Sequence, residues 1–282
     1  MKPLVEVLAA TTEWFRGRGI PSARLDAELI IGHVLGLDRV GVYLNYDRPL
    51  SDAELETVRG LVRRRGAREP LAWLTEDKEF YGHPFTVKPG TLVPRPDTET
   101  LVEVALARFE GDPIHVADVG CGTGAIGLTL ALALPAVRLY ALDLSEEALA
   151  CTRLNTDRHQ LKERVAVRRS DLLAGVPADR PLDWVVSNPP YIPSAEIAGL
   201  APEVQLEPRL ALDGGEDGLA VYRRLVPEAA RRARVGLIVE VGKGQAPAVA
   251  ALMQASGLTT SVHADLAHVE RVVVGTHAPR SA

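Results

Sequence analysis

Apolar residues recur at helical spacing through the first seventy positions. Leu25, Leu29 and Ile30 form one face of a helix that opens after Pro21-Ser22. Ser51 with Glu54 makes a capping box ahead of Leu55, Val58, Leu61 and Val62. No strand pattern interrupts this stretch. Residues 79–93 change character: Glu79 to Val87 is aromatic and β-branched around Gly82 and Pro84, which predicts a short hairpin. From about residue 98, strand and helix alternate. Strands are expected at Ile114 to Val119, Val137 to Leu142, Val165 to Arg169, Leu182 to Ser187 and Val235 to Val241. Helices are expected at Ala125 to Leu134, from Ser145 towards His159, at Gly218 to Ala233 and on to Ser256. Two closing strands, Thr259 to His263 and Val269 to Gly275, have no helix between them. The fold class is therefore α/β, a mostly parallel sheet with helices on both faces and an antiparallel edge.

The chain divides into a helical domain over 1–75, a β-hairpin connector over 76–97 and an α/β domain over 98–276. The tail from Thr276 is expected to fray. The chain has 282 residues, 46% hydrophobic and 24% charged, and is long enough to bury a large core without staples. Its two cysteines, Cys121 and Cys151, cannot supply a disulfide framework, so a reducing compartment fits. The N-terminus does not read as a signal peptide. The apolar run from Ala125 to Val137 is too short to span a bilayer and contains Pro135. A soluble cytoplasmic protein is expected, with no membrane partner.

The formal charge of −5 argues against a broad basic surface for nucleic acid. Residues 1–90 carry 13 Lys+Arg and 13 Asp+Glu, so direct nucleic-acid binding is not expected there either. The basic cluster Arg59, Arg63, Arg64, Arg65 and Arg68 reads as a solvated helix face, with docking of an acidic protein patch as the alternative. Trp73, Phe80 and Tyr81 read as core aromatics. The seven histidines show no pair at metal-ligand spacing, so no metal site is expected. The 24 glycines and 20 prolines fall in no low-complexity tract, so their positions carry meaning.

Gly120-Cys121-Gly122-Thr123-Gly124 follows the first strand of the α/β domain and opens a helix. Glycines there permit a tight turn and close backbone approach to a ligand, which the helix N–H groups then face. Gly122 to Gly127 also matches G-x-G-x-x-G, and Asp143 ends the next strand about twenty residues on, where a carboxylate can take two ribose hydroxyls. These residues leave a dinucleotide and S-adenosylmethionine both open.

Asn188-Pro189-Pro190-Tyr191 separates them. It follows a strand, where open α/β sheets bind ligands. Two prolines fix φ and donate no N–H, so the backbone is rigid and presents carbonyls. Asn188 Oδ1 and the Pro189 carbonyl can accept both hydrogens of one planar NH2 group. That aims the poorly nucleophilic amide nitrogen at an electrophilic methyl, and catalysis is then orientation and preorganisation. Tyr191 can pack over the planar amide or base. Asp97 and Glu99 either cap the following helix or touch the cofactor. The stretch Ser194 to Gly215 has little regular pattern and is expected to border the substrate pocket.

Taken together these motifs resemble the release factor glutamine methyltransferases, the PrmC/HemK family of class I S-adenosylmethionine-dependent methyltransferases. The resemblance covers nearly the whole chain. It rests on Glu69 to Trp73, Glu79 to Gly82, Leu92 to Glu99, Asp118 to Gly124, Ser187 to Ile192 and Glu207 to Leu219. The Pro-Arg-Pro and Gly-Gly-Glu-Asp-Gly segments are more selective than Asn-Pro-Pro-Tyr, which is shared with DNA adenine methyltransferases. The resemblance implies a Rossmann-like sheet and N5-methylation of the glutamine in the Gly-Gly-Gln motif of peptide chain release factors. It implies that Gly120, Cys121, Gly122, Thr123 and Gly124 line the methionine part of S-adenosylmethionine. Asp143 would take the ribose hydroxyls, and Asp171 and Leu172 would lie beside the adenine. Asn188 would contact both cofactor and glutamine, with Asn188, Pro189, Pro190 and Tyr191 holding the glutamine. The helical domain would dock the release factor body, and Cys121 is a spacer.

Three departures stand out. Leu172 replaces a common aromatic, Glu76 a common glycine, and Asp265-Leu266-Ala267-His268 a frequent Asp-Leu-x-Gly turn. None touches the amide clamp, so activity is expected to survive. A ribosomal-protein glutamine methyltransferase shares the clamp and is the nearest rival. An N6-adenine DNA methyltransferase would need a basic DNA face. A dehydrogenase leaves Asn188 to Tyr191 without a role, and a non-catalytic docking module would not need the cofactor loop.

Overall fold

The computed structural model describes residues 2–111 and 113–278. Two compact units are present: Met1–Asp77 with Pro202–Leu206, and Lys78–Ala201 with Glu207–Ala282.

The first unit is helical. Its helices are α1 (Leu4–Arg16), α2 (Ala23–Leu35), α3 (Arg39–Leu44), α4 (Asp52–Gly66) and α5 (Leu71–Thr75). Leu4, Leu8, Phe15, Ile30, Ile31 and Leu50 are fully buried between them. The Ser51 hydroxyl accepts from the Glu54 N–H while Glu54 takes the Ser51 N–H, the reciprocal cap that the sequence predicts. Ser22 does otherwise: its hydroxyl donates to the Asp26 carboxylate at 2.6 Å and caps no backbone group. At Gly66, α4 approaches α1 so closely that a Cβ would fall 2.0 Å from Trp14 Cη2.

The basic run is not one solvated face. Arg59 and Arg63 are exposed beside Glu56, and Arg64 pairs with Glu69. Arg65 is buried, 2.7 Å from Asp26 and 2.9 Å from Glu203, and Arg68 shares Glu203 at 2.9 Å. A buried guanidinium needs such partners, because an uncompensated charge there costs several kcal/mol. Glu203 lies far away in sequence, so no local pattern announces the pairing.

The hairpin β1 (Asp77–Phe80) and β2 (His83–Thr86) opens the second unit from Lys78 onward. A 3-10 turn over Pro96–Thr98 leads into α6 (Glu99–Leu106). The alternation then runs β3 (Ile114–Val119), α7 (Ala125–Ala133), β4 (Val137–Asp143), α8 (Glu146–Arg158), β5 (Val165–Arg169) and β6 (Trp184–Ser187). After β6 come a 3-10 turn (Ile197–Gly199), α9 (Pro202–Gln205, in the first unit) and α10 (Arg209–Leu212). Ala220–Arg232 forms α11, Gly236–Glu240 β7, Ala246–Ala255 α12, Thr259–Ala264 β8 and Glu270–Thr276 β9. The three short helical pieces replace the irregular stretch expected between Ser194 and Gly215. Pro202 and Pro208 start two of them, and each is too short to show a helical repeat.

The sheet order is β5-β4-β3-β6-β7-β9-β8. The first five strands are parallel, and β9 runs antiparallel to both β7 and β8. The antiparallel edge expected from two consecutive strands is thus present. β6 and β7 are buried at every position, as central strands covered on both faces should be. Two apolar clusters fill the two faces, one around Leu128, Leu139 and Trp184, the other around Tyr222, Leu225 and Val249. Thr276 does not fray: it pairs with Gly236 and Thr259, and residues 279–282 of that tail lie outside the described residues. Two of the departures from family glycines, Glu76 and His268, adopt φ values of 54° and 60°. That left-handed region costs a non-glycine residue about 1 kcal/mol. Among the described residues no helix is long and apolar enough to cross a membrane.

Candidate active site

The chain crosses the sheet between β5 and β6, so β3 has successive strands leaving in opposite directions on its two sides. That is the position where open α/β sheets bind ligands. A cavity of about 230 Å³ opens there. Gly120, Cys121, Gly122 and Thr123 line it from the turn after β3, and Asp143 from the end of β4. Asp171 and Leu172 contribute from the loop after β5, and Asn188, Pro189 and Pro190 from the loop after β6. Two predicted site residues do not line it. Gly124 caps α7, and Tyr191 turns towards β7.

The turn after β3 is fastened to β4. The N–H groups of Gly120 and Cys121 both donate to the Leu142 carbonyl, at 2.8 and 2.9 Å. Gly120 and Gly122 have φ of 72° and 57°, and a Cβ on either would meet no atom within 4 Å. They form an open cradle that a ligand can enter up to the backbone. Asp143 is largely buried, and burial pushes its carboxyl up. The opposing N–H groups of Ser145 and Gly122, each at 2.9 Å, stabilise the charge. Each carboxylate oxygen retains a lone pair for a hydroxyl. The neighbouring Asp118 is fully buried, which raises its carboxyl to about 7; its Oδ2 accepts from the Gly127 N–H.

Leu172 has φ 50° and is held by the Ser170 hydroxyl, which donates to the Leu172 carbonyl at 2.7 Å. Asp171 pairs with Arg224 at 2.7 Å, and Arg224 also lines the cavity. The apolar Leu172 and this ion pair suit a flat, partly polar base.

Asn188 donates from Nδ2 to Thr98 Oγ1 at 3.2 Å, which leaves Oδ1 as the amide atom for a ligand. Ser187 just before it donates to the Val119 carbonyl at 2.7 Å and ties β6 to the cofactor turn. The Tyr191 carbonyl accepts from Gln245 Nε2 at 2.9 Å, while the Tyr191 hydroxyl reaches Glu240 Oε1 at 3.3 Å. The phenol is therefore directed inward and away from the cavity.

Beyond the tetrapeptide, Ile192 is bridged to Asp213. Ser194, Gly215 and Arg209 all bond the Asp213 carboxylate and hold it down to about 2. The stretch expected to border the pocket supplies Pro208, Leu210 and Ala211 to the lining. Its buried Glu207 takes Arg95 of the Pro-Arg-Pro segment at 2.6 Å, so that segment is ion-paired to the start of the stretch Glu207 to Leu219. Glu99 accepts from the Tyr81 N–H, and Asp97 takes Arg271; neither caps α6. Sequence reading missed Thr98, Arg224 and Glu240, which occupy no recognisable motif spacing relative to their partners.

The PrmC N-terminal domain family matches residues 6–75, and the methyltransferase small domain family matches residues 97–203. A release factor glutamine methyltransferase of Geobacter sulfurreducens is 42% identical over 282 residues, covering 97% of this chain and 98% of its own. The chain belongs to the release factor glutamine methyltransferase family. Another family member, from Bradyrhizobium diazoefficiens, is 42% identical over 273 residues, covering 94% of this chain and 91% of its own. Among solved structures, a methyltransferase from Pyrococcus furiosus shares the fold with a TM-score of 0.53 at 16% identity, covering 79% of this chain and 98% of that one. As a family member the chain is a protein-(glutamine-N5) methyltransferase.

Proposed function

We propose that the cavity binds S-adenosylmethionine and that the chain methylates the side-chain amide nitrogen of the glutamine in the Gly-Gly-Gln motif of peptide chain release factors. The observation that carries this reading is the placing of Asn188 Oδ1 and Pro189 in the same cavity as the glycine cradle. Bound there, S-adenosylmethionine supplies an electrophilic methyl group. Gly120, Cys121, Gly122 and Thr123 hold its methionine end by backbone, with Gly124 setting the turn. Asp143 takes the ribose hydroxyls. Leu172 lies against the adenine, and Asp171 beside it is restrained by Arg224.

Asn188 Oδ1 and the Pro189 carbonyl each accept one hydrogen of the glutamine NH2. With both hydrogens held, the nitrogen lone pair has one direction left, towards the methyl. Pro189 and Pro190 make that geometry rigid at no cost in buried N–H groups. No side-chain base is needed, because the methylated nitrogen loses its proton readily to water. The contribution of the protein is orientation plus fixed acceptors. Tyr191 supports the clamp from below. The helical unit docks the release factor body. Cys121 and Cys151, both in the α/β unit, are free and buried, as suits a reducing compartment, and we place the enzyme in the cytoplasm.

The test is to incubate the protein with S-adenosylmethionine and separately with a release factor, a ribosomal-protein substrate and duplex DNA, followed by mass spectrometry. One added methyl on the Gly-Gly-Gln glutamine, with the other two substrates unmodified, is expected. Methylation of the ribosomal protein or of DNA alone would overturn the substrate assignment.

A further inference from the structure

Thr152 and Asn155 are polar, fully buried and three residues apart on α8, so both face the same way. Neither lines the cavity. What they face is the back of the turn after β3. The Thr152 hydroxyl donates to the Gly122 carbonyl at 2.9 Å. Asn155 Nδ2 donates to the Thr123 carbonyl, also at 2.9 Å. The rest of the Asn155 amide is committed to Thr86 of β2. The Thr86 N–H donates to Asn155 Oδ1 at 2.7 Å, and the Thr86 carbonyl accepts from Nδ2 at 2.9 Å. Asn155 is therefore fixed from a second side. A Cβ on Gly124 would fall 3.1 Å from the Thr152 methyl carbon, so α8 packs directly against the turn.

A trans peptide holds its N–H opposite its carbonyl. With the Gly122 carbonyl drawn back to Thr152, the Thr123 N–H is turned to the other side, and Gly122 and Thr123 both line the cavity. Asn155 draws back the next carbonyl in the same way. The N–H of that peptide, on Gly124, closes the turn on the Cys121 carbonyl at 2.7 Å. The Thr152 hydroxyl has a single hydrogen to give. Cys121 Sγ lies 3.4 Å from Thr152 Oγ1, and by distance alone either atom could donate. Burial pushes the Cys121 thiol up, so it keeps its hydrogen and supplies it, while the Thr152 hydrogen goes to Gly122. Thiol, hydroxyl and carbonyl thus form a chain with one direction.

We propose that Thr152 is a positioning residue for the cofactor: by holding the Gly122 carbonyl off the ligand side, it makes the turn offer the Thr123 N–H to the amino-acid end of S-adenosylmethionine. The proposal rests on the reading of this turn as the seat of that end. A carboxylate is attracted by an N–H and repelled by a carbonyl oxygen. A flip of the Gly122–Thr123 peptide would exchange one for the other. Gly122, at φ 57°, has no Cβ to resist such a flip. The open cradle that lets a ligand approach the backbone is therefore also free to present the wrong group. A tether from behind the turn supplies the restraint that the glycine lacks, and Thr152 is that tether.

The test measures binding of S-adenosylhomocysteine and of 5′-methylthioadenosine to the full chain by calorimetry. The two share adenosine and a sulfur, and only the first carries the amino-acid end. Wild type should bind S-adenosylhomocysteine more tightly by about tenfold or more. Thr152→Val keeps the branched shape and the methyl contact and removes only the hydroxyl. It should weaken S-adenosylhomocysteine about tenfold, the loss of roughly one hydrogen bond, and leave 5′-methylthioadenosine within about twofold. Thr152→Ser, which restores the hydroxyl, should recover S-adenosylhomocysteine affinity to within about threefold. In turnover with a release factor, Thr152→Val should raise the KM for S-adenosylmethionine about tenfold, with kcat at saturation within about threefold. A preference for S-adenosylhomocysteine that Thr152→Val retains in full, an equal loss for both ligands, or no recovery in a folded Thr152→Ser would each overturn the proposal alone. Equal affinities in wild type would overturn the reading of the turn as the seat of the amino-acid end, and the proposal with it.

Discussion

Replacing Asn188 with alanine should lower kcat for release factor methylation about a hundred- to a thousandfold, the loss typical when one preorganised polar contact to a reacting group is removed. The rest of the tetrapeptide does not substitute. Pro189 offers one carbonyl, the second proline has no N–H to rearrange, and Tyr191 is turned inward to Glu240. With a single acceptor left, the substrate NH2 can rotate about its remaining hydrogen bond, and the lone pair loses its aim. The fold should be unaffected, because Asn188 is only half-buried and its one hydrogen bond goes to a hydroxyl that can turn to another partner. Circular dichroism and melting temperature should match wild type, and S-adenosylmethionine affinity should stay within about tenfold. A folded Asn188→Ala protein with kcat within threefold of wild type would contradict the clamp.

The second large effect is expected on binding. Asp143→Ala should weaken S-adenosylmethionine binding about a hundredfold or more. Two hydrogen bonds to a charged acceptor are worth about 1.5 kcal/mol or more each, and tenfold corresponds to about 1.4 kcal/mol. The carboxylate has a double duty. It would hold the ribose, and it also fixes the Gly122 and Ser145 N–H groups that shape the cradle. Calorimetry with adenosine and with adenine separates the two. Wild type should prefer adenosine clearly, and the variant should lose that preference because the ribose contact is gone. Unchanged S-adenosylmethionine affinity, or an intact preference for adenosine, would refute the ribose role.

Much of this site was legible in the sequence because its chemistry is local. The glycine turn, the carboxylate at the next strand end and the Asn-Pro-Pro run are each contiguous, and alternation of strand and helix puts all of them at strand C-terminal ends. What the sequence left unread is pairing across distance. Thr98 meets Asn188 ninety residues on, and Glu240 meets Tyr191 forty-nine residues back. Neither pair lies on a shared periodic face, so hydrophobic patterning carries no trace of it. The same holds for Arg65, which reads as one more basic residue on a helix until Glu203 and Asp26 are seen around it. Tyr191 shows the converse. Its place in the tetrapeptide suggests a ring over the substrate, whereas the empty side of Gly242 and the buried Glu240 draw it under the clamp.

The relation between clamp and chemistry is most directly visible on the substrate nitrogen itself. A release factor labelled with ¹⁵N at its glutamine side-chain amides shows each of them as a nitrogen bearing two protons. After reaction with the wild-type protein and S-adenosylmethionine, the signal of the Gly-Gly-Gln glutamine should become a nitrogen bearing one proton, with the other glutamines unchanged. With Asn188→Ala it should remain a pair over the same time. A methyl group that appears on the release factor while every glutamine amide keeps both protons would contradict the account.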